Sequence, residues 1–227
     1  MGGRASVAKS AMPKGVEPEP RLSRASVGRL SLYLRRLEVL LREGAAKVSS
    51  GTLGEALGVT DAQVRKDLAY LGHLGHPGVG YAAPELVAAI RRALGIDREW
   101  RVALAGVGNL GRALLRYRGF AERGFRVAAL FDADPAKVRQ RVDGLEVHPP
   151  EAMAQVLPAL GVELGVLTVP AEAAQVVADA MVTAGVRGLL TFAPGVLRLP
   201  AGVSVVSVDL TVQLEQLAFL VQLSGGD

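Results

Sequence analysis

Apolar positions follow two regimes along the chain. Between residues 24 and 95 they recur at helical spacing; from residue 101 onward, short apolar runs alternate with helical stretches. In the first regime Leu30, Tyr33, Leu34, Leu37 and Leu41 form the i, i+3, i+4, i+7, i+11 stripe of a helix over 24–43, with Arg29, Arg35, Arg36 and Arg42 off the stripe and Gly44 as its stop. A short second helix over 49–58 turns Leu53 and Leu57 inward. Thr52 and Glu55 have capping-box spacing there, with Ser49 or Ser50 as other caps. After the turn Gly58-Val59-Thr60, a capping box of Thr60 and Gln63 opens a third helix. Its inner face is Val64, Leu68 and Leu71; its outer face is Gln63, Arg65, Lys66 and Tyr70. Two short helices about a tight glycine turn, the second presenting basic and amide groups, form a helix-turn-helix pattern. Gly72, Gly75, Gly78 and Gly80, closed by Tyr81, predict a hairpin where a winged helix carries its wing. A helix from Pro84, taken as its first residue, to Gly95 is expected to link two domains.

In the second regime strands are predicted at 101–105, 126–131, 164–169, 188–192 and 203–208, with a weaker one at 145–147. Helices are predicted at 110–118, 135–140, 150–158, 171–184 and 210–223. Alternating strand and helix implies a parallel sheet covered on both faces. The expected fold class is therefore α/β: a winged-helix domain over 23–82, a linker helix over 83–97, a Rossmann-like domain over 98–209 and a C-terminal helix over 210–227. Residues 1–22, with three prolines among Gly, Ser and Lys, are expected to be a disordered basic tail.

The strongest chemical signal is Gly106-Val107-Gly108-Asn109-Leu110-Gly111, which follows an apolar strand and opens a helix. Gly106 suits the tight turn, Gly108 the approach of backbone to a pyrophosphate, and Gly111 close packing of helix on strand. Asp132 ends the next strand, 21 positions after Gly111, where an acid accepts from ribose hydroxyls and repels a 2′-phosphate, so NAD(H) is expected over NADP(H). Thr168-Val169-Pro170 and Phe192-Ala193-Pro194 end later strands on the same edge and are expected to face the nicotinamide half.

Composition narrows the function. The chain has 227 residues, half of them hydrophobic and none of them cysteine, which excludes disulfides and thiolate chemistry. No apolar run approaches the ~20 residues that span a bilayer, and no signal peptide is read, so the expected location is cytoplasmic. The net charge of +4 lies toward the N-terminus: residues 23–82 hold eight basic and five acidic residues, residues 98–227 twelve and thirteen. Such a surface attracts phosphate backbones. A dehydrogenase needs an acid or base beside the hydride. The histidines are His73, His76 and His148, and no lysine follows Lys137. A sensor is expected rather than an enzyme. A small NAD-dependent oxidoreductase, or a CoA- or nucleotide-binding module, is the alternative that fits the second half alone.

Across residues 24 to about 223 the chain resembles the Rex family of redox-sensing transcriptional repressors. The carrying motifs are Arg29-Leu-Ser-Leu-Tyr-Leu-Arg35, Val64-Arg-Lys-Asp-Leu68, Gly78-Val-Gly-Tyr81, Gly106 to Leu114, Tyr117-x-Gly-Phe120, Phe131-Asp-x-Asp-Pro135, Thr168-Val-Pro170 and Phe192-Ala-Pro194. The resemblance implies a homodimer on a near-palindromic double-stranded operator, released by NADH but not by NAD⁺, with the C-terminal helix exchanged between subunits through Leu210, Leu214, Leu217 and Val221. It implies DNA contacts from Lys47, Ser49, Ser50, Gln63, Arg65, Lys66, Tyr70, Gly78 and Gly80. It also implies a switch in which Asp209 chooses between Arg35 and Tyr117, the latter near the nicotinamide, and no metal. Two departures stand out: His76-Pro77 in the wing, where the family usually has a basic residue, and Leu210, where an aromatic is common.

Overall fold

A computed structural model describes residues 22–76 and 78–224. The predicted tail therefore lies outside the described residues, Leu22 excepted, as do Pro77 and residues 225–227. The chain divides into two compact units between Gly95 and Ile96.

The first unit contains α1 (Arg24–Arg42), β1 (Lys47–Val48), α2 (Ser50–Leu57), α3 (Asp61–Ala69), β2 (Gly75–His76), β3 (Gly80–Ala82) and α4 (Ala83–Ala93). The stripe of α1 is buried as expected at Leu30, Tyr33, Leu34 and Leu37, against Leu53, Val64, Leu68, Leu86 and Ile90. Gly58, left-handed at φ 66°, ends α2, and the chain turns into α3, whose N-cap Thr60 accepts from Gln63 N at 3.2 Å. The cap of α2 is Ser49, accepting from Thr52 N at 3.0 Å; the predicted Thr52–Glu55 box does not form because Thr52 already lies inside the helix. The three strands order β1-β3-β2, all antiparallel, and β2–β3 is the wing hairpin. Gly80 is indispensable there: at φ +82° a Cβ would stand 2.7 Å from the Val48 carbonyl oxygen. The helix expected to be a linker belongs to this core. α4 starts at Ala83, with Pro84 second rather than first, buries Leu86 and Ile90, and joins α1 through Arg91 Nη2 to Glu38 Oε1 at 2.8 Å.

The second unit contains β4 (Trp100–Ala105), α5 (Asn109–Leu115), α6 (Arg118–Glu122), β5 (Phe125–Phe131), β6 (Arg141–Val142), β7 (Leu145–His148), α7 (Met153–Ala159) after a 3-10 turn at Pro150–Ala152, β8 (Leu164–Leu167), α8 (Ala171–Thr183), β9 (Gly188–Thr191), β10 (Ser204–Ser207) and α9 (Leu210–Ser224). The sheet order is β10-β9-β8-β4-β5-β7-β6, parallel except for the β6–β7 hairpin. Its six parallel strands have the 3-2-1-4-5-6 order of a dinucleotide-binding sheet. Strand alternation sorts the core onto two faces. Ala103, Ala105, Ala129 and Phe131 meet Met153, Leu157, Ala178 and Met181 of α7 and α8. Leu104, Leu130 and Val147 meet Val107, Leu114 and Leu115 on the other face.

Three predicted helices change. The 110–118 stretch splits into α5 and α6. The 150–158 stretch opens with a 3-10 turn. Residues 135–140 form turns, not a helix. The Asp134 carboxylate accepts from Ala136 N at 2.9 Å, and Arg139 turns left-handed at φ 67° to donate its N–H to Val147 O at 2.8 Å. The β6–β7 hairpin, of which only β7 is predicted, as the weak strand at 145–147, takes the chain out of a helix there. β9 and β10 are joined by a loop over 192–203, clasped to α8 by Gln175, which donates to Arg198 O and accepts from Arg198 N, both at 2.9 Å.

Candidate functional site

A cleft of about 510 Å³ lies at the carboxyl ends of β4, β5 and β8, where the strand order reverses. Of the residues assigned to the nucleotide, Gly106, Gly108, Asp132, Thr168, Val169 and Pro170 line it. Lys137, Pro150, Met153 and Val177 also line it, and no motif pointed to them. The signal available for Pro150 and Met153 was their place in the turn and helix start that follow β7, the weak strand predicted at 145–147.

At two of its three glycines the turn leaves no room for a side chain. Gly106 sits at φ +95°, with a Cβ position 2.5 Å from Thr168 O; a Cβ on Gly111 would lie 2.0 Å from Gly106 O. On Gly108 a Cβ would meet nothing within 4 Å, so backbone there faces open space. Thr168 Oγ1 donates to Gly106 O at 2.7 Å and to Ala105 O at 3.1 Å, tying β8 to the turn.

Asp132 is buried and has a fuller set of partners than a ribose acceptor needs. Its Oδ2 accepts from Val107 N at 2.7 Å and Lys137 Nζ at 3.0 Å; its Oδ1 accepts from Asp134 N at 2.9 Å. Burial pushes this carboxyl up, but the Asp134 N–H, Lys137 and the Val107 N–H outweigh it and hold it below its ordinary value. The acid thus fastens the glycine turn to the end of β5 and keeps one free lone-pair position on Oδ1 for a hydroxyl. Val107 enters by its backbone alone, since its side chain is buried in the core. A ribose and pyrophosphate fit this donor set: a bare glycine cradle, backbone N–H groups at the start of α5, and an ionised acid at the next strand end.

The structure does not place every expected residue on the cleft. Asn109 and Leu110, exposed in the first turn of α5, are not among its lining residues, and neither are Tyr117 or Phe192–Pro194. The Phe192 loop is set by Phe192 N donating to Leu167 O at 3.0 Å and Ala193 N to Thr191 Oγ1 at 3.1 Å. Tyr117 is exposed, edge-on to Phe120 with ring centroids 5.4 Å apart. Asp209 caps α9, its Oδ1 accepting from Thr211 N at 2.9 Å, and Arg35 is exposed on α1. Arg35 and Asp209 belong to different units.

In the first unit, Arg65, Lys66 and Tyr70 are exposed on the outer side of α3, and Lys47, Ser49 and Gly78 are exposed too. Ser50 and Gly80 are partly covered. Gln63 turns back: its Nε2 donates to Asp67 Oδ1 at 3.1 Å, leaving one amide hydrogen and the carbonyl oxygen for outside partners. The residue that sequence reasoning missed is Asp67. Nearly fully buried, it accepts from Arg29 Nε at 2.6 Å, Arg29 Nη2 at 2.8 Å and Tyr33 Oη at 3.0 Å, fixing α3 to α1. Its signal was a charge on the inner face of the helix, between Val64 and Leu68. Burial pushes its carboxyl up, but Arg29 and then Tyr33 outweigh that and leave it low; burial and then Asp67 push the Tyr33 hydroxyl up to about 12. Asp67→Ala leaves Arg29 facing no carboxylate and is expected to destabilise the N-terminal unit by about 3 kcal/mol in denaturant unfolding at pH 7. Because the folded carboxyl is depressed, its contribution is present above the ordinary carboxylate range and is lost as pH falls through the folded value. The gap between wild type and variant therefore closes below about pH 4.

Comparison with known proteins follows both units. A family profile described as a putative DNA-binding protein N-terminus matches residues 21–69, and one described as a CoA binding domain matches residues 97–195. The redox-sensing transcriptional repressor Rex of Pelotomaculum thermopropionicum is 47% identical over 199 residues, 88% of this chain and 93% of that protein. The chain belongs to the Rex family of redox-sensing transcriptional repressors. The relatives are named as transcriptional repressors, regulators rather than enzymes. A crystal structure of RSP, a Rex-family repressor, in complex with β-NAD⁺ and operator DNA is 32% identical, covers 90% of this chain and 94% of its own, and superposes with a TM-score of 0.85. The RSP complex with β-NADH is 31% identical, covers 89% and 95%, and gives 0.81. Among the described residues no group of three or more His, Asp or Glu side chains is arranged to hold a metal ion, and no helix is long and apolar enough to cross a membrane.

Proposed function

We propose that this chain is a dimeric, cytoplasmic repressor that holds operator DNA through its winged helix and releases it when NADH fills the cleft of the second unit. The observation that carries this is one chain joining a helix α3 with exposed Arg65 and Lys66 to a tight glycine turn fastened by Asp132. The RSP complexes with operator DNA and with both forms of the nucleotide support it. Arg65 and Lys66 meet the duplex, Lys47 and Ser49 lie on the same unit to hold phosphates, and Gly78 and Gly80 let the wing approach closely. Gly106 to Gly111 and Asp132 hold the pyrophosphate and adenine ribose; Tyr117 and the Phe192–Pro194 loop flank the nicotinamide. NADH, when bound, offers a neutral ring where NAD⁺ offers a cation. A carboxylate feels that difference, and Asp209 is the acid assigned to it, exchanging between Arg35 and Tyr117.

The dimer rests on α9. None of its residues is buried, and Leu210, Leu214, Leu217, Leu220, Val221 and Leu223 are all more than half exposed. Val206 on edge strand β10 is 60% exposed as well. So much exposed apolar surface on one helix needs a covering surface, and a second copy supplies it by exchanging α9.

The test follows a fluorescent operator duplex, selected by this protein from a random pool, by anisotropy at fixed salt. Micromolar NADH is expected to release it, whereas NAD⁺ and CoA are not. Release by CoA, or by neither nucleotide, would overturn the reading.

A further inference from the structure

Arg65 is held from two elements. Its Nη1 donates to Oδ2 of Asp61, one turn back on α3, at 2.6 Å, and to Oγ of Ser50, at the start of α2, at 3.3 Å. Those two bonds use both hydrogens of Nη1. Among the described residues none accepts from Nε or Nη2, and the side chain is 54% exposed. The guanidinium is thus anchored by one corner, and its free edge offers two parallel donors. Such an edge matches either O6 and N7 of a guanine or two oxygens of a phosphate.

Charge chooses between these. Arg65 holds the Asp61 carboxyl below its usual value, so Asp61 stays ionised beside it. A phosphate reaching that edge meets a pair with no net charge and is repelled by the carboxylate behind it. A guanine edge is uncharged and loses little.

We propose that Asp61 and Ser50 are positioning residues that set Arg65 as a guanine reader and keep it from serving as a phosphate clamp. This rests on the reading of α3 as the DNA-facing helix. Asp61 lowers affinity for DNA in general and raises discrimination among sequences.

The experiment uses the full chain without NADH and an operator selected by it from a random duplex pool. Affinity is measured for that operator, for versions carrying 7-deazaguanine at each guanine in turn, and for an unrelated duplex, across a salt series. Wild type is expected to lose about tenfold at one guanine per half-site. Arg65→Ala is expected to abolish that sensitivity with the salt slope unchanged. Asp61→Asn is expected to cut the sensitivity to below about threefold, tighten binding to the unrelated duplex and steepen the salt slope by about one, as a freed arginine takes a phosphate. The double variant loses no more discrimination than Arg65→Ala alone. The proposal is overturned if Arg65→Ala lowers the salt slope by about one while guanine sensitivity persists, or if Asp61→Asn discriminates like wild type. If Arg65→Ala and Lys66→Ala both bind every duplex as wild type does, it is the placement of α3 on DNA that fails, and the guanine assignment falls with it.

Discussion

Gly111→Ala is expected to yield a repressor that binds operator normally and ignores NADH. The new Cβ would stand 2.0 Å from Gly106 O and 3.0 Å from Thr168 Oγ1. Neither neighbour is a flexible tip: one is backbone, the other a hydroxyl already bonded to two carbonyls. α5 must therefore lift off the end of β4, carrying its first N–H groups away from the pyrophosphate. Loss of two charge-assisted bonds at about 1.5 kcal/mol each corresponds to roughly a hundredfold weaker NADH binding. Calorimetric titration with NADH reads that loss. Anisotropy on the operator reads the retained DNA affinity, because the substitution lies in the second unit. Wild-type NADH affinity in the variant would mean that the nucleotide does not use this turn.

The second large effect concerns α9. Leu214→Glu with Leu217→Glu places two carboxylates among the apolar residues that α9 offers to a partner. Burying an unpaired carboxylate costs several kcal/mol, so the variant is expected to sediment as a monomer at micromolar concentrations where wild type is a dimer. Both residues are already exposed within the chain, at 65% and 55%. The melting temperature of the monomer therefore stays close to that of its own fold, and a large loss of helix by circular dichroism is not expected. Operator affinity falls with the dimer, since one winged helix reaches one half-site. A variant that remains dimeric would place the interface elsewhere.

What could be read from the sequence was what repeats with a local period or sits at a fixed offset. Leu30 to Leu37 lie on one face because 3.6 residues make a turn, and they are buried. Gly106, Gly108, Gly111 and Asp132 stand at the offsets a strand–turn–helix–strand unit requires; Gly106, Gly108 and Asp132 line the cleft, and Gly111 packs behind them against Gly106. What could not be read depends on pairings that cross the chain. Arg29 and Tyr33 find Asp67 more than thirty residues away, and nothing local marks that choice. Gln63 has the spacing of a capping box and its N–H does reach Thr60, but its side-chain amide donates to the buried Asp67 carboxylate one turn on. Residues 135–140 have helical composition, but the β6–β7 hairpin, set by partners beyond the window, takes the chain elsewhere. Asp132 has the position of a ribose acceptor, while Val107 N and Lys137 give it a second task as a fastener of the turn. A period cannot tell whether α9 covers its own sheet or another's; its complete exposure in the folded chain answers for its own.

If NADH and operator exclude one another through one conformational equilibrium, their effects must be reciprocal. The decisive measurement is the dissociation constant of NADH from the full chain, free and saturated with operator, at one salt concentration. The expected result is that operator weakens NADH by the same factor by which saturating NADH weakens operator, with NAD⁺ showing a much smaller factor. Equal NADH affinity with and without operator would contradict a nucleotide-gated repressor and leave the two units binding their ligands independently.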